Sequence, residues 1–359
     1  MTGFAAVPEQ DEAKRLLRAA LAETPAHAYL FHGPGGVGKR AAALAFAAEL
    51  LGDERRVAAG THPDLYRLEA LGEMIRIDAI RELRHDLHMR PFEANRRVYL
   101  ILDAHLLNDD ATDALLKDLE EPPPYAVIVL VADELGPLPE TIRSRCQLVP
   151  FRRLSEAAVQ GWIAERAPAL AADEVRALAR VAGGRLDRAA RLLDPAADAR
   201  RRELLAVARG PYLDPEFEPA DAAAVILAAA SARGAEAKEQ ETSAVEGLDL
   251  TARESEQRVR RAQRGAERDE LLASLEELSA WYRDLVVVAA GAEPAVVHAD
   301  RLADLREDAR LGGVGAAAER AAELTRAAWR GAEEFNVNAA LALEALFVRL
   351  HRELAPAAA

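Results

Sequence analysis

The sequence predicts an α/β P-loop fold with a parallel sheet, followed by a long all-helical region. Three observations carry this. The glycine-rich stretch "LFHGPGGVGKRAAALAF" (30–46) lies between an apolar run and an Ala-rich helical pattern. "RVYLILD" (97–103) and "VIVLVAD" (127–133) are nearly continuous apolar runs, and beyond Leu154 such runs stop. Apolar runs of this length, separated by helical periods, fit strands buried on both faces of a parallel sheet.

In chain order, Ala28 to Phe31 reads as the first strand and Arg40 to Leu51 as the helix after the loop. "PDLYRLE" and "MIRI" read as short strands, "AIRELRHDL" as a helix and "CQLVPF" as the last strand. Asn108 suits an N-cap, with Asp109 and Asp110 favourable to the dipole of the helix it opens. Ala111, Ala114, Leu115 and Leu119 form that helix's apolar stripe, and the run Pro122 to Pro124 ends it. "SEAAVQGWIAERA", "DEVRALARVAGG" and "RLDRAARLLD" read as three short helices in a small unit reaching about residue 208. "RGPYLDPEFEP" (209–219) reads as a linker, from its prolines and glycine. Helical patterns then run over 220–234, about 243–290, 315–334 and 336–353. The charged stretch "ARGAEAKEQETSAVEGLDLTARESEQ" reads as a solvated helix face.

The chain has 359 residues, enough for two or three domains. Its 46 Lys and Arg against 60 Asp and Glu give a net charge of -14. Such a chain is a poor stand-alone binder of DNA phosphates, though a local patch leaves nucleic acid open as a partner. A single cysteine, Cys146, excludes an internal disulfide and a multi-cysteine zinc site. The charged N-terminus does not read as a signal peptide, and no apolar stretch is long enough to span a membrane. A cytoplasmic protein is expected.

Two stretches point to nucleotide chemistry and depart from it. Gly33, Gly35, Gly36, Gly38 and Lys39 fit the P-loop, whose backbone N–H groups and helix N-terminus cradle phosphates. The next position normally carries a Ser or Thr hydroxyl for magnesium, and here it is Arg40. Asp103 ends an apolar strand as a magnesium-holding aspartate would. It is followed by Ala104, whose methyl group cannot polarise water. Together they predict a degenerate loop with weak ATP or ADP binding at most and no intrinsic ATPase.

"HAYLFHGPGGVGK", "ALLKDLEEPPP" and, some 20 residues later, "TIRSRC" resemble the clamp-loader ATPases of the AAA+ group. The altered loop, Asp-Ala in place of Asp-Glu and an intact "SRC" are most similar to the delta-prime family of bacterial DNA polymerase III clamp-loader subunits. The resemblance implies an AAA+ core over 1–152, a helical lid over 153–208 and an oligomerising helical collar over 209–359. It implies that Arg145 is an arginine finger acting in trans, and that Arg188, in "GGRLDRAARLL", holds the sensor-2 position. In the collar, Trp281, Leu285, Leu341, Leu343 and Leu346 would be core or interface residues. The implied function is a stator that joins motor (gamma/tau) and delta subunits to load the beta sliding clamp on primed DNA, with no membrane partner. The alternatives are a hydrolysing motor subunit of the same loader or a non-replicative AAA+ repair or recombination module. Many relatives carry a four-cysteine zinc module before "HPD"; "LGDERRVAAGTHPD" has no cysteine, so no zinc is expected.

Overall fold

The computed structural model describes residues 3–70, 74–133, 135, 138–245, 251–334 and 338–355. The chain divides into two compact units: residues 1–166 with 183–188, and residues 167–182 with 189–359. The stretch expected as a lid, 153–208, is shared between them.

The first unit is built on β1 (Ala28–His32), β2 (Leu65–Leu68), β3 (Arg97–Ile101), β4 (Ala126–Ala132) and β5 (Gln147–Pro150). These form one sheet in the order β2-β3-β4-β1-β5, all neighbours parallel. Its helices are α1 (Asp11–Ala22), α2 (Lys39–Leu51), α3 (Glu54–Ala58), α4 (Ile77–Leu87), α5 (Asp109–Glu120), α6 (Glu140–Arg143) and α7 (Glu156–Arg166). The strand period of two sorts the apolar runs onto two faces. Val127, Val129 and Val131 join Tyr29, Phe31, Val98 and Leu100 in a core closed by α1 and α2. Ile128 and Leu130 join Leu30, Tyr99 and Ile101 in a second core, closed by Ile80, Leu83 and Leu87 of α4 and Leu115 and Leu119 of α5. Asn108 caps α5 as expected, its Oδ1 accepting from the Ala111 N–H at 3.0 Å.

"MIRI" does not form a strand. It contributes one isolated bridge, Ile75 to Leu107, because α4 already begins at Ile77. Asp64 is fully buried and accepts the backbone N–H groups of Phe92, Glu93 and Ala94 at 2.6, 3.0 and 2.9 Å. Burial opposes its charge, but these donors and Arg97 hold its carboxyl below the ordinary value. The loop leading into β3 is thereby fixed.

The second unit contains α8 (Ala172–Ala182), most of α9 (Leu186–Leu193), α10 (Pro195–Leu213), α11 (Pro219–Val245) and α12 (Ala252–Ala289). α13 (Leu302–Asp308), α14 (Val314–Glu334) and α15 (Ala339–Leu354) complete it. Residues 246–250, 336 and 337, inside the helical patterns read from sequence, lie outside the described residues. The linker expected at 209–219 is shorter: α10 continues through Pro211 to Leu213, and 214–218 connect it to α11. Leu205, Ala208 and Tyr212 bury one face of α10, and that burial outweighs the backbone hydrogen bond a helical proline forfeits. α11 and α12 pair antiparallel along their length: Glu241 meets Arg258, and Gly234 packs on Glu267. Trp281, Leu285, Leu343 and Leu346 are buried in this unit's core, whereas Leu341 is 65% exposed.

A polar network runs through the core. His298, with no exposed side-chain surface, lies 2.8 Å from Asp284 through Nδ1 and 3.1 Å from Glu277 through Nε2. Arg201 joins Glu277 at 2.7 Å to Asp300 at 2.7 Å, and Trp281 Nε1 donates to Tyr212 at 3.0 Å. Burial alone would lower the His298 pKa, but the two carboxylates outweigh burial and nearby Arg201 and raise it. A raised folded-state pKa stabilises fully below the unfolded value of about 6.5 and less as pH rises through the folded one. Thermal unfolding of the chain should therefore occur at lower temperature, relative to His298→Gln, as the pH is taken from 6 upward through the His298 titration. His298→Ala should cost about 3 kcal/mol at low pH by removing the buried cation that bridges Asp284 and Glu277, as read by urea denaturation.

Candidate functional site

The C-terminal ends of three neighbouring strands meet at the glycine-rich loop. β1 leads into it, β3 into Asp103 and β4 into Asp133. Crevices at such strand ends are where open α/β sheets bind ligands. Gly33 has φ +133°, and a Cβ there would meet the Phe151 carbonyl oxygen at 2.1 Å. Gly36 has φ +71°, and its Cβ would fall 1.7 Å from an Asp187 carboxylate oxygen. A Cβ on Gly35 would meet Asp133 at 2.8 Å, and Gly38, at φ +99°, precedes the first residue of α2.

That first residue is Lys39, whose side chain is buried. Its Nζ donates to the Gly33 carbonyl at 2.6 Å and to that of Pro34, and pairs with Asp133 at 2.9 Å. Burial lowers its pKa, with Asp133 opposing. Arg40 reaches across to Asp103 in a close ion pair and lies 3.9 Å from Glu69. Asp103 itself is left-handed, φ 59°, a conformation uncommon for a residue with a side chain. Ala104 follows in a short 3-10 turn and is fully buried in the second core of the sheet.

The start of α9 contacts the loop within the same unit. The Leu186 N–H donates to the Gly36 carbonyl at 2.7 Å, and Arg185 pairs with Asp187 at 2.8 Å. Arg188 follows, half-buried, on the same first turn. Asp133 and Asp187 are the site residues that sequence reasoning misses. Asp133 is signalled by ending β4 as Asp103 ends β3; Asp187 has no local signal, because a distant stretch brings it to the loop.

This donor set does not fit a magnesium nucleotide. The lysine that would meet terminal phosphates is committed to Asp133 and two carbonyls. The aspartate that would hold the metal is neutralised by Arg40, and a second carboxylate, Asp187, stands against the loop backbone.

Arg145 lies elsewhere. It follows α6 and precedes β5, whereas the loop follows β1, which runs parallel to β5 with Tyr29 beside Gln147 and His32 beside Pro150. The two are therefore at opposite edges of the sheet, separated by at least about 13 Å of strand at about 3.3 Å per residue. Arg145 donates to the Thr141 carbonyl at 2.8 Å and pairs with Glu120 at the end of α5. Beside it, burial pushes the Cys146 thiol up to about 12, so it is no nucleophile at neutral pH.

A parallel sheet with a glycine-rich loop between β1 and its following helix is a P-loop domain. Residues 9–155 match the family described as DNA polymerase III, delta subunit. Over 174 residues the chain is 36% identical to DNA polymerase III subunit delta' of Pseudomonas aeruginosa, covering 44% of this chain and 53% of that one. It is 34% identical over 152 residues to subunit delta' of Bacillus subtilis, covering 39% and 46%. It is 33% identical over 168 residues to subunit tau of Bacillus subtilis, covering 43% and 30%. The N-terminal segment of the chain is thus similar to DNA polymerase III subunits of the delta' and tau kinds. The matches span about half the length of the delta' relatives and less of tau.

The geometry separates two kinds of substitution. Gly33→Ala should destabilise the first unit by about 2 kcal/mol or more, because backbone lies where the methyl would go. Arg40→Ala should cost only about 0–1 kcal/mol, since its ion pair is half in water. Chemical denaturation of the two variants checks the contrast.

Proposed function

We propose that this chain is a delta-prime-like stator of the DNA polymerase III clamp loader. It assembles with motor (gamma/tau) and delta subunits in the cytoplasm, and the assembly loads the beta sliding clamp on primed DNA. The three-part reading accompanies it: core 1–152, lid 153–208, collar 209–359. The observation that carries the proposal is the Arg40–Asp103 ion pair, which puts a guanidinium where a motor subunit needs magnesium. Ala104, buried and without a carboxylate, supports it. The chain needs no nucleotide or zinc of its own, and any ATP or ADP it takes is held weakly at Gly33, Gly35, Gly36, Gly38 and Lys39.

Arg145 is then the working residue. Its place at the sheet edge opposite its own loop suits a group that serves another subunit's ATP site. A guanidinium there spreads positive charge over the charge developing on the transferred phosphoryl group. Glu120 holds it in reserve on the surface until a neighbour docks. Arg188 stands in the sensor-2 place, on the first turn of α9. Leu341 and Val348, exposed and seven residues apart on α15, suit collar packing between subunits.

The similarity to tau favours a motor subunit as the second reading. Two measurements decide. The isolated chain should show negligible ATPase, and robust hydrolysis would make it a motor. Added to motor and delta subunits, clamp and primed DNA, it should stimulate their turnover. Arg145→Ala should assemble normally yet lower single-turnover hydrolysis at the adjoining site by about 10³-fold. Unchanged turnover in that variant removes the finger role.

A further inference from the structure

The distal part of α12 carries a linear basic surface that the reading above does not use. Arg253, Arg260, Arg261, Arg264 and Arg268 fall at i, i+7, i+8, i+11 and i+15. At 3.6 residues per turn these positions share one face, a stripe about 100° wide, with Gln257 between them. No Asp or Glu occupies that face between Arg253 and Arg268. The opposite side of the helix is committed to α11: Val259 is buried, and Arg258 pairs with Glu241. The pairing of α11 with α12 therefore aims the stripe outward.

Arg253, Arg260, Arg261 and Arg264 are exposed. Glu256 pairs with Arg260 at 2.5 Å along the margin. Arg253, Arg261 and Arg264 have no ion-pair or hydrogen-bond partner among the described residues. They span about 16 Å of helix, at about 1.5 Å per residue.

We infer that this stripe binds the phosphate backbone of duplex DNA. Guanidinium groups in line, each able to grip two phosphate oxygens, are complementary to a regular polyanion. A folded acidic protein is the poorer match. Stable protein interfaces have an apolar core, and none of the exposed large apolar side chains lies in this part of α12. The net charge of -14 confines DNA binding to such a local patch. The contact requires neither Arg145 nor a nucleotide in the loop. That the DNA is met within a loader rests on the proposed function; the affinity of the stripe does not.

The test is fluorescence anisotropy of a labelled DNA duplex with the full chain and with Arg253→Ala/Arg261→Ala/Arg264→Ala. Three phosphate contacts contribute about 2.7 to the slope of log affinity against log salt, or about 40-fold between 50 and 200 mM. The wild type should show at least this dependence, and the triple variant a slope shallower by about that amount. Equal slopes, no duplex binding by the wild type, or equally tight binding of labelled polyglutamate would each overturn the proposal. Stimulation of motor-subunit ATPase without DNA, measured in parallel, should be the same for both proteins. A wild type that binds duplex but stimulates no ATPase would sink the stator reading and leave the stripe standing.

Discussion

Strand direction is the constraint on which the first unit depends. Five strands running one way put every carboxyl end at one edge of the sheet and every amino end at the other. The loop, Asp103 and Asp133 follow strands and are gathered at the first edge. Arg145 precedes a strand and is carried to the second. The division follows from topology, and no side-chain rearrangement within the chain could bring Arg145 to the loop. One small domain therefore carries the glycine-rich loop and Arg145 at opposite ends of its strands.

At the loop edge, charge is satisfied from within. Lys39 is too buried to remain unpaired, since removing an ammonium from water costs several kcal/mol without compensation. Asp133 and two loop carbonyls supply that compensation. Arg40 does the same for Asp103 nearer the surface. A phosphate group entering here would have to displace carboxylates already in contact with both cations or with the loop backbone. The loop is also bonded through the Gly36 carbonyl to the first turn of α9.

Sequence and structure agree where burial is simple. β3 and β4 are legible because both faces are covered, so their residues are apolar without a break. Arg40 and Ala104 are legible as departures because the loop and the strand end set strict chemical expectations at those positions. α10 is not, since three prolines and a glycine read as a linker while the apolar face of Leu205, Ala208 and Tyr212 decides the outcome. "MIRI" has strand-like composition but too few residues before α4 to pair. Asp187 shares no pattern with the loop it touches; only folding brings the two together. The basic stripe is present in the sequence, but the compensating acids nearby conceal it until α11 defines which face of α12 is free.

The burial of Ala104 has a consequence for substitution there. A glutamate introduced there would first meet a closed apolar core, while Arg40 still held Asp103. Replacing Arg40 alone would free a carboxylate with no water-activating partner beside it. The first change would lower stability. Position 104 is thus coupled to the packing of the sheet: an acidic side chain there would require the apolar residues around it to change as well.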